Sequence, residues 1–199
     1  MRHRQPLQVD VPECAPRAHG RFARGFGRTL MWLGGWRIVG RFPPHPRLVI
    51  IAAPHSSGWD AFWGLAAKLA LGLDMKFMAK AELFWWPLGP ILLWLGGIPT
   101  NRTAPGGLVG DTARRLAEAD ALWLVIAPEG TRKRVERWKS GFWRIAQPAS
   151  VPVACAYFHY PDRTIGIGAT FELGTDLDAD LARIRAWYRP WVGKHRNVD

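Results

Sequence analysis

Arg47-Leu48-Val49-Ile50-Ile51-Ala52-Ala53, followed at once by Pro54-His55-Ser56-Ser57-Gly58-Trp59-Asp60, is the stretch on which the reading of the chain turns. The first part is aliphatic and β-branched without polar alternation. That is the pattern of a strand buried on both faces, as in a parallel sheet. The second part is a polar loop at the strand's C-terminal end. A helical pattern follows over residues 59–73, with Phe62, Ala66, Leu69 and Leu73 in phase. The result is a strand–loop–helix unit.

Working outward, the alternation repeats. Strands are expected at residues 75–79, 121–127, 151–159 and 164–171. Helices are expected at 108–119, 140–147 and 177–188. Between them lie an apolar segment at 82–95, broken by Pro87 and Pro90, and a tight connection at 96–102 with a short strand at its centre. Alternating strands and helices imply an α/β fold, a single domain with a mixed, largely parallel sheet flanked by helices. Sites in such sheets gather in loops beyond the strand C-termini. Two chemically loaded stretches, 54–60 and 128–132, sit there.

The chain has 199 residues, 48% of them hydrophobic, and a formal net charge of +11. One domain with a sizeable core fits that length. The charge calls for an anionic partner: nucleic acid, an anionic membrane surface or a phosphate-bearing substrate. Twelve tryptophans fit either a Trp-rich core or a membrane–water interface. Two cysteines, Cys14 and Cys155, with no C-x-x-C motif, speak against a disulfide framework and a structural zinc site. The N-terminus shows no secretory signal. No apolar run is long enough for a transmembrane helix.

Residues 1–19, rich in Pro, Arg and His, read as a flexible leader. Residues 20–42 read as an amphipathic membrane-associating helix. Phe22, Phe26, Leu30 and Leu33 share one face, Arg21, Arg24 and Arg28 the other, and Met31, Trp32 and Trp36 widen the apolar side. The same pattern also suits a helix packed on its own domain with a solvated arginine face.

His55 and Asp60 are the first candidates for chemistry. On one continuous helix their spacing would set them about 140° apart. Gly58 lets the backbone turn between them. Asp60 could then accept from one imidazole nitrogen and leave the other free as a base, although His–Asp pairs are also common as structural contacts. Ser56 and Ser57 adjoin the histidine, yet the chain has no G-x-S-x-G elbow, so the serines read as loop caps. Glu129-Gly130-Thr131-Arg132 offers turn N–H groups and a guanidinium to a phosphate or carboxylate, and Arg102 closes its own stretch in the same way. Taken one by one, these arginines are equally consistent with solvent-facing side chains.

Three blocks occur in order: His-x-x-x-x-Asp at 55–60, Gly-Gly-Ile-Pro-Thr-Asn-Arg at 96–102, and Pro-Glu-Gly-Thr-Arg at 128–132. Val151-Pro152-Val153 supplies a fourth, and Lys80-Ala81-Glu82-Leu83 and Lys139-Ser140-Gly141 fit as well. This set, over residues 48–160, resembles the glycerolipid acyltransferase family, the 1-acylglycerol-3-phosphate acyltransferase-like proteins with a PlsC-type domain. The resemblance implies a glycerol-3-phosphate acyltransferase-like fold and an acyltransferase domain over 43–199. It implies an enzyme of phospholipid biosynthesis that moves a fatty acyl group from acyl-CoA or acyl carrier protein to the hydroxyl of a lysophospholipid such as 1-acylglycerol-3-phosphate. By match, His55 is the general base and Asp60 its orienting carboxylate. Arg102, Glu129, Gly130, Thr131 and Arg132 bind the acceptor. No metal, cofactor or covalent enzyme intermediate is implied.

The chain departs from the family at Pro54, where members commonly carry Asn, and at Thr100-Asn101, where an apolar pair is common. Both bear on the acceptor, which could instead be another lysolipid such as an amino-acid lysolipid. A non-catalytic membrane lipid-binding module would use the same basic and aromatic features. Nucleic acid is not expected as a partner, because no nucleic-acid module is recognisable. The expected location is peripheral or monotopic, on the cytoplasmic face of the cell membrane.

Overall fold

The sheet is built around the stretch quoted above. In the computed structural model, which describes residues 7–100 and 107–198, Arg47–Ala53 forms β3. Leu48, Val49, Ile50, Ile51 and Ala53 are buried in it. β3 pairs in parallel with β6 (Leu122–Ile126) on one side and β7 (Val153–His159) on the other, with Val49 opposite Leu124 and Val153. β4 (Met75–Lys80) and β5 (Gly97–Thr100), with α3 (Leu88–Trp94) between them in the chain, extend the sheet in parallel beyond β6. β8 (Thr164–Phe171) pairs antiparallel with β7. With β1 (Leu7–Asp10) and β2 (Arg37–Arg41) beyond β8, the full order is β1-β2-β8-β7-β3-β6-β4-β5. The expected single α/β domain with a mixed, largely parallel sheet is what the chain forms.

Side chains alternate between two cores along β3. Val49, Ile51 and Ala53 pack with Leu116 of α4 (Gly107–Glu118), Phe142 and Ile145 of α5 (Gly141–Ala146), and Ile184 and Tyr188 of α6 (Leu177–Tyr188). Leu48 and Ile50 face the other way. That face is roofed by α1 (Arg21–Gly34) and α2 (Gly58–Leu71), whose Met31, Ala66 and Ala70 pack on Ile38 and Ile165. The Tyr188 hydroxyl donates to the carbonyls of Ile51 and Ala156 at 2.7 and 3.0 Å, tying α6 to two neighbouring strands.

The N-terminal third differs from expectation. Leu7–Asp10 is β1, paired in parallel with β2 (Arg37–Arg41). Ala15 is buried, and the Ala18 N–H donates to the Gly72 carbonyl at 3.0 Å. From residue 7 onward, then, the leader is docked on the domain. The helix expected over 20–42 stops at Gly34. Gly35 takes the left-handed conformation (φ 68°), and the Trp36 N–H closes on the Met31 carbonyl at 2.9 Å. That αL cap turns the chain into β2, which enters the sheet as a neighbour of β8.

α1 lies close on α2. A Cβ at Gly27 would sit 2.4 Å from the Ala70 nitrogen, so only glycine permits this approach. Gly27 and Met31 are the buried residues of α1, while Phe22, Phe26, Trp32 and Leu33 are exposed. The apolar stripe therefore points away from the protein. Arg28 donates from Nε to the Ala70 carbonyl at 3.4 Å, so part of the basic side leans on α2 instead. Among the described residues no helix is long and apolar enough to cross a membrane.

Candidate active site

β3, β6 and β7 run in the same direction, so the loops after Ala53, Ile126 and His159 meet at one edge of the sheet. The strand-to-helix junction after β3 explains the His55–Asp60 spacing. Ser57 is the N-cap of α2, its hydroxyl accepting from the Trp59 N–H at 3.2 Å. Asp60 is the third helical residue and completes a capping box. Its Oδ2 accepts the N–H groups of Ser57 at 2.7 Å and Ser56 at 2.8 Å. His55 precedes the cap, off the helix, so the 140° separation of a continuous helix does not apply. Its Nδ1 lies 3.3 Å from the same Oδ2.

Asp60 is 1% exposed. Its Oδ1 accepts from the Tyr160 hydroxyl at 2.6 Å. Burial alone would raise its pKa. Hydrogen bonds from His55, Tyr160 and the Ser57 backbone outweigh that and hold the carboxyl below its ordinary value. The same contact and burial push the Tyr160 hydroxyl far up, so it stays a donor. With Nδ1 facing an ionised carboxylate, the neutral imidazole carries its proton on Nδ1 and offers Nε2 as an acceptor. The histidine side chain is 24% exposed. The arrangement can take a proton at Nε2 and stabilise the imidazolium that results.

The loop after β6 comes to the same edge. The His55 N–H donates to Glu129 Oε1 at 2.8 Å. Gly130 takes a positive φ of 63°, and its N–H closes a turn on the Ala127 carbonyl at 3.0 Å. The Thr131 hydroxyl accepts from the Lys133 N–H at 3.2 Å. Arg132 reaches over the start of α2, where its Nη1 lies 3.2 Å from the position a Gly58 Cβ would occupy.

The structure thus brings His55, Asp60, Glu129, Gly130, Thr131 and Arg132 together. Arg102 lies outside the described residues. For Glu129 the geometry departs from direct acceptor binding. Its carboxylate is 1% exposed and engaged on both oxygens, by the His55 N–H and by Arg196. Burial pushes its pKa up against the pull of those two donors. Gly130 and Thr131 shape the turn. Arg132 is the residue of this block that lines the adjoining cleft. Ser57 caps α2 and the Ser56 hydroxyl accepts from the His195 N–H at 3.2 Å, so both serines are structural, as loop caps would be.

Tyr160 and Arg196 were not anticipated from sequence. Tyr160 sits in the turn after β7, 100 residues from its partner. Arg196 donates to the Glu129 carboxylate and to the His55 carbonyl at 3.0 Å, joining the two motif loops. Neither had a local pattern to reveal it. Among the described residues no three His, Cys, Asp or Glu side chains group as a metal site. Cys14 and Cys155 are free thiols, and burial pushes Cys155 up to about 12.

The sequence family described as Acyltransferase matches residues 38–159, more than half of the chain. No curated protein gives a significant match. Among solved structures, the chain resembles the 1-acyl-sn-glycerophosphate (LPA) acyltransferase PlsC from Thermotoga maritima. The TM-score is 0.59 at 18% identity, covering 82% of this chain and 75% of that one. At that identity the likeness is one of fold.

Proposed function

The chain belongs to the acyltransferase family, and from that premise we propose that it transfers a fatty acyl group from an acyl thioester, acyl-CoA or acyl carrier protein, to the hydroxyl of a lysophospholipid such as 1-acylglycerol-3-phosphate. The observation that carries this reading is the His55 Nδ1 to Asp60 Oδ2 contact of 3.3 Å at the open edge of the sheet, with the carboxylate buried behind it.

The acceptor hydroxyl gives its proton to His55 Nε2 as its oxygen attacks the thioester carbonyl carbon. The new C–O bond forms, the C–S bond breaks, and the departing thiolate takes the proton back from the imidazolium. Asp60 holds the ring and its charge through both steps. The acyl group arrives already activated as a thioester, so the proposed reaction calls on neither metal nor cofactor. Arg132, together with Arg102, is the proposed acceptor-binding pair, since guanidinium forks suit phosphate oxygens.

Access to lipid substrates is the proposed task of α1. Phe22 is 90% exposed, and Phe26, Trp32 and Leu33 are also exposed, on a helix that carries Arg21 and Arg28 as well. Aromatic anchors with flanking cations suit a peripheral seat on an anionic leaflet. The cytoplasmic face is the proposed side, where the thioester donors are made. Sedimentation with vesicles of anionic lipid should carry the protein down. The Phe22→Ser/Phe26→Ser variant should bind at least tenfold more weakly with an unchanged melting temperature.

The main test is a lysolipid panel with both donor types, read by thiol release and product mass. His55→Ala should lose turnover while keeping the native circular dichroism spectrum. A folded His55→Ala protein with wild-type turnover would sink the proposal.

A further inference from the structure

The segment after α6 folds back over the candidate site. A Cβ at Gly193 would lie 3.0 Å from the Ser56 hydroxyl oxygen and 3.1 Å from Pro54 Cβ. The His195 N–H donates to that Ser56 hydroxyl at 3.2 Å. Arg196 fastens the segment, donating to the His55 carbonyl at 3.0 Å, the Arg132 carbonyl at 3.2 Å and the Glu129 carboxylate. These anchors on either side fix the two residues between Gly193 and Arg196.

Those residues, Lys194 and His195, form one wall of a cleft of about 580 Å³. Ser56, Ser57, Gly58, Trp59 and Arg132 also line it among the described residues. The cleft is open to solvent, so a ligand there is held along one side. Lys194 Nζ stands 5.2 Å from the centre of the Trp59 ring, which holds the ammonium at the cleft. Among the described residues, the lining includes the cations Arg132 and Lys194 together with His195, and no acidic side chain. The nearby carboxylates, Asp60 and Glu129, are buried and spent on internal partners. The N–H groups of Ser56, Ser57 and Trp59 are also taken. A ligand's negative charge meets the Arg132 and Lys194 side chains here.

We propose that the C-terminal segment is a working wall of the site, with Lys194 and His195 joining Arg132 to hold a phosphate monoester in the cleft over the start of α2. The inference rests on the acyl-transfer reading above and adds specificity residues to it. The chemistry recognised is a terminal phosphate on a small organic group. Two sources carry it: the headgroup of a lysolipid acceptor, and the ribose phosphate of a coenzyme A donor.

The test uses this chain in the His55→Ala background, so that binding is read without turnover. Calorimetry compares glycerol 3-phosphate with glycerol, and coenzyme A with dephospho-coenzyme A. Adding Lys194→Ala/His195→Ala should raise the Kd for one phosphorylated ligand at least tenfold and leave its unphosphorylated counterpart unchanged. Loss on glycerol 3-phosphate assigns the phosphate to the acceptor, and loss on coenzyme A assigns it to the donor. In the active protein, the double variant should raise KM for the matching substrate tenfold with kcat within threefold, and Lys194→Arg should restore half or more of the binding. Both side chains are exposed, so the variants should keep the wild-type melting temperature. Equal affinity of the His55→Ala protein with and without Lys194→Ala/His195→Ala for all four ligands overturns the proposal. Absence of turnover in the protein with His55 intact would instead count against the acyl-transfer reading and leave the binding result standing.

Discussion

Replacing Asp60 with asparagine isolates the charge of the His55 partner. The isostere can keep an oxygen toward the Ser56 and Ser57 N–H groups, which lie at 2.8 and 2.7 Å. Its amide NH2 then faces the Tyr160 hydroxyl, which can rotate to accept. The helix cap therefore survives and the imidazolium loses its counter-charge. At an effective permittivity of about 20, unit charges at the observed 3.3 Å attract by about 5 kcal/mol. At about 1.4 kcal/mol per tenfold in rate, that sets a ceiling of about 10³ to 10⁴ on the loss. General acid–base catalysis as a whole supplies about 10² to 10⁴, so the two scales agree. The expected result for Asp60→Asn is a kcat about 10³-fold lower with KM within a few-fold, measured by thiol release under saturating donor. Weaker N–H contacts to a neutral oxygen should lower stability by about 1–2 kcal/mol. A kcat within tenfold of wild type, in a protein with wild-type circular dichroism, would refute the role given to the carboxylate.

Three further outcomes are expected. Tyr160→Phe removes a donor from Asp60. Asp60 lies below its ordinary 3.8, so its stabilising contribution is present above that value and is lost as pH falls through the depressed one. The variant should unfold in acid at a higher pH than wild type and lose about 2 kcal/mol by urea titration at neutral pH. Arg196→Met leaves the buried Glu129 carboxylate without its guanidinium, and should cost about 3 kcal/mol by thermal melting. Adding Glu129→Gln should recover part of that loss. Lys68 is buried on α2, donating to the Leu95 carbonyl at 2.6 Å and standing 3.1 Å from His19 Nε2, with Asp74 and Lys76 nearby. Burial lowers its pKa from 10.5 to about 8, so the unfolded chain binds the proton more tightly and stability should rise by about 3 kcal/mol between pH 8 and pH 10.5. Lys68→Met should abolish that rise in urea titrations run across the range.

Much of the fold is legible because its central strands are buried on both faces. β3, β6 and β7 show that as continuous apolar runs, and α2, α4 and α6 are marked by apolar residues in helical phase. β1 and β2 lie toward one edge, and their signal is weak. Leu7–Asp10 alternates apolar and polar over four residues, too short to stand out beside a Pro- and Arg-rich leader. Ile38 and Val39 extend the apolar count of the preceding helix, so only the αL conformation of Gly35 separates the two elements. In the site, the local part was visible. His55, Asp60 and the 129–132 turn follow strands directly. Contacts that depend on the whole topology were not. Tyr160 meets Asp60 because β7 neighbours β3, and Arg196 meets Glu129 because the segment after α6 returns across the sheet edge. No spacing rule encodes either.

The capping box shows why folding and chemistry are hard to separate at Asp60. One oxygen, Oδ2, accepts the Ser56 and Ser57 N–H groups and faces His55 Nδ1. The first two contacts start α2, and the third orients the ring. A glutamate would keep the charge and could still cap the helix, but it carries the carboxylate one methylene further from the backbone and so shifts the oxygen that now faces His55. A shift of the aspartate by one residue would remove it from the third helical position, and with it both the cap and the pair. The spacing of four residues between His55 and Asp60 is thus the distance from a residue two before the N-cap to the third residue of the helix. It is set by the strand-to-helix turn, and the charge needed to start the helix becomes the charge that serves the imidazole. Variants that weaken the cap should therefore lower activity even where they spare both named side chains. Ser57→Ala is the clearest case: it should cost about 1 kcal/mol of stability, and it should also lower kcat severalfold by loosening the oxygen that His55 faces.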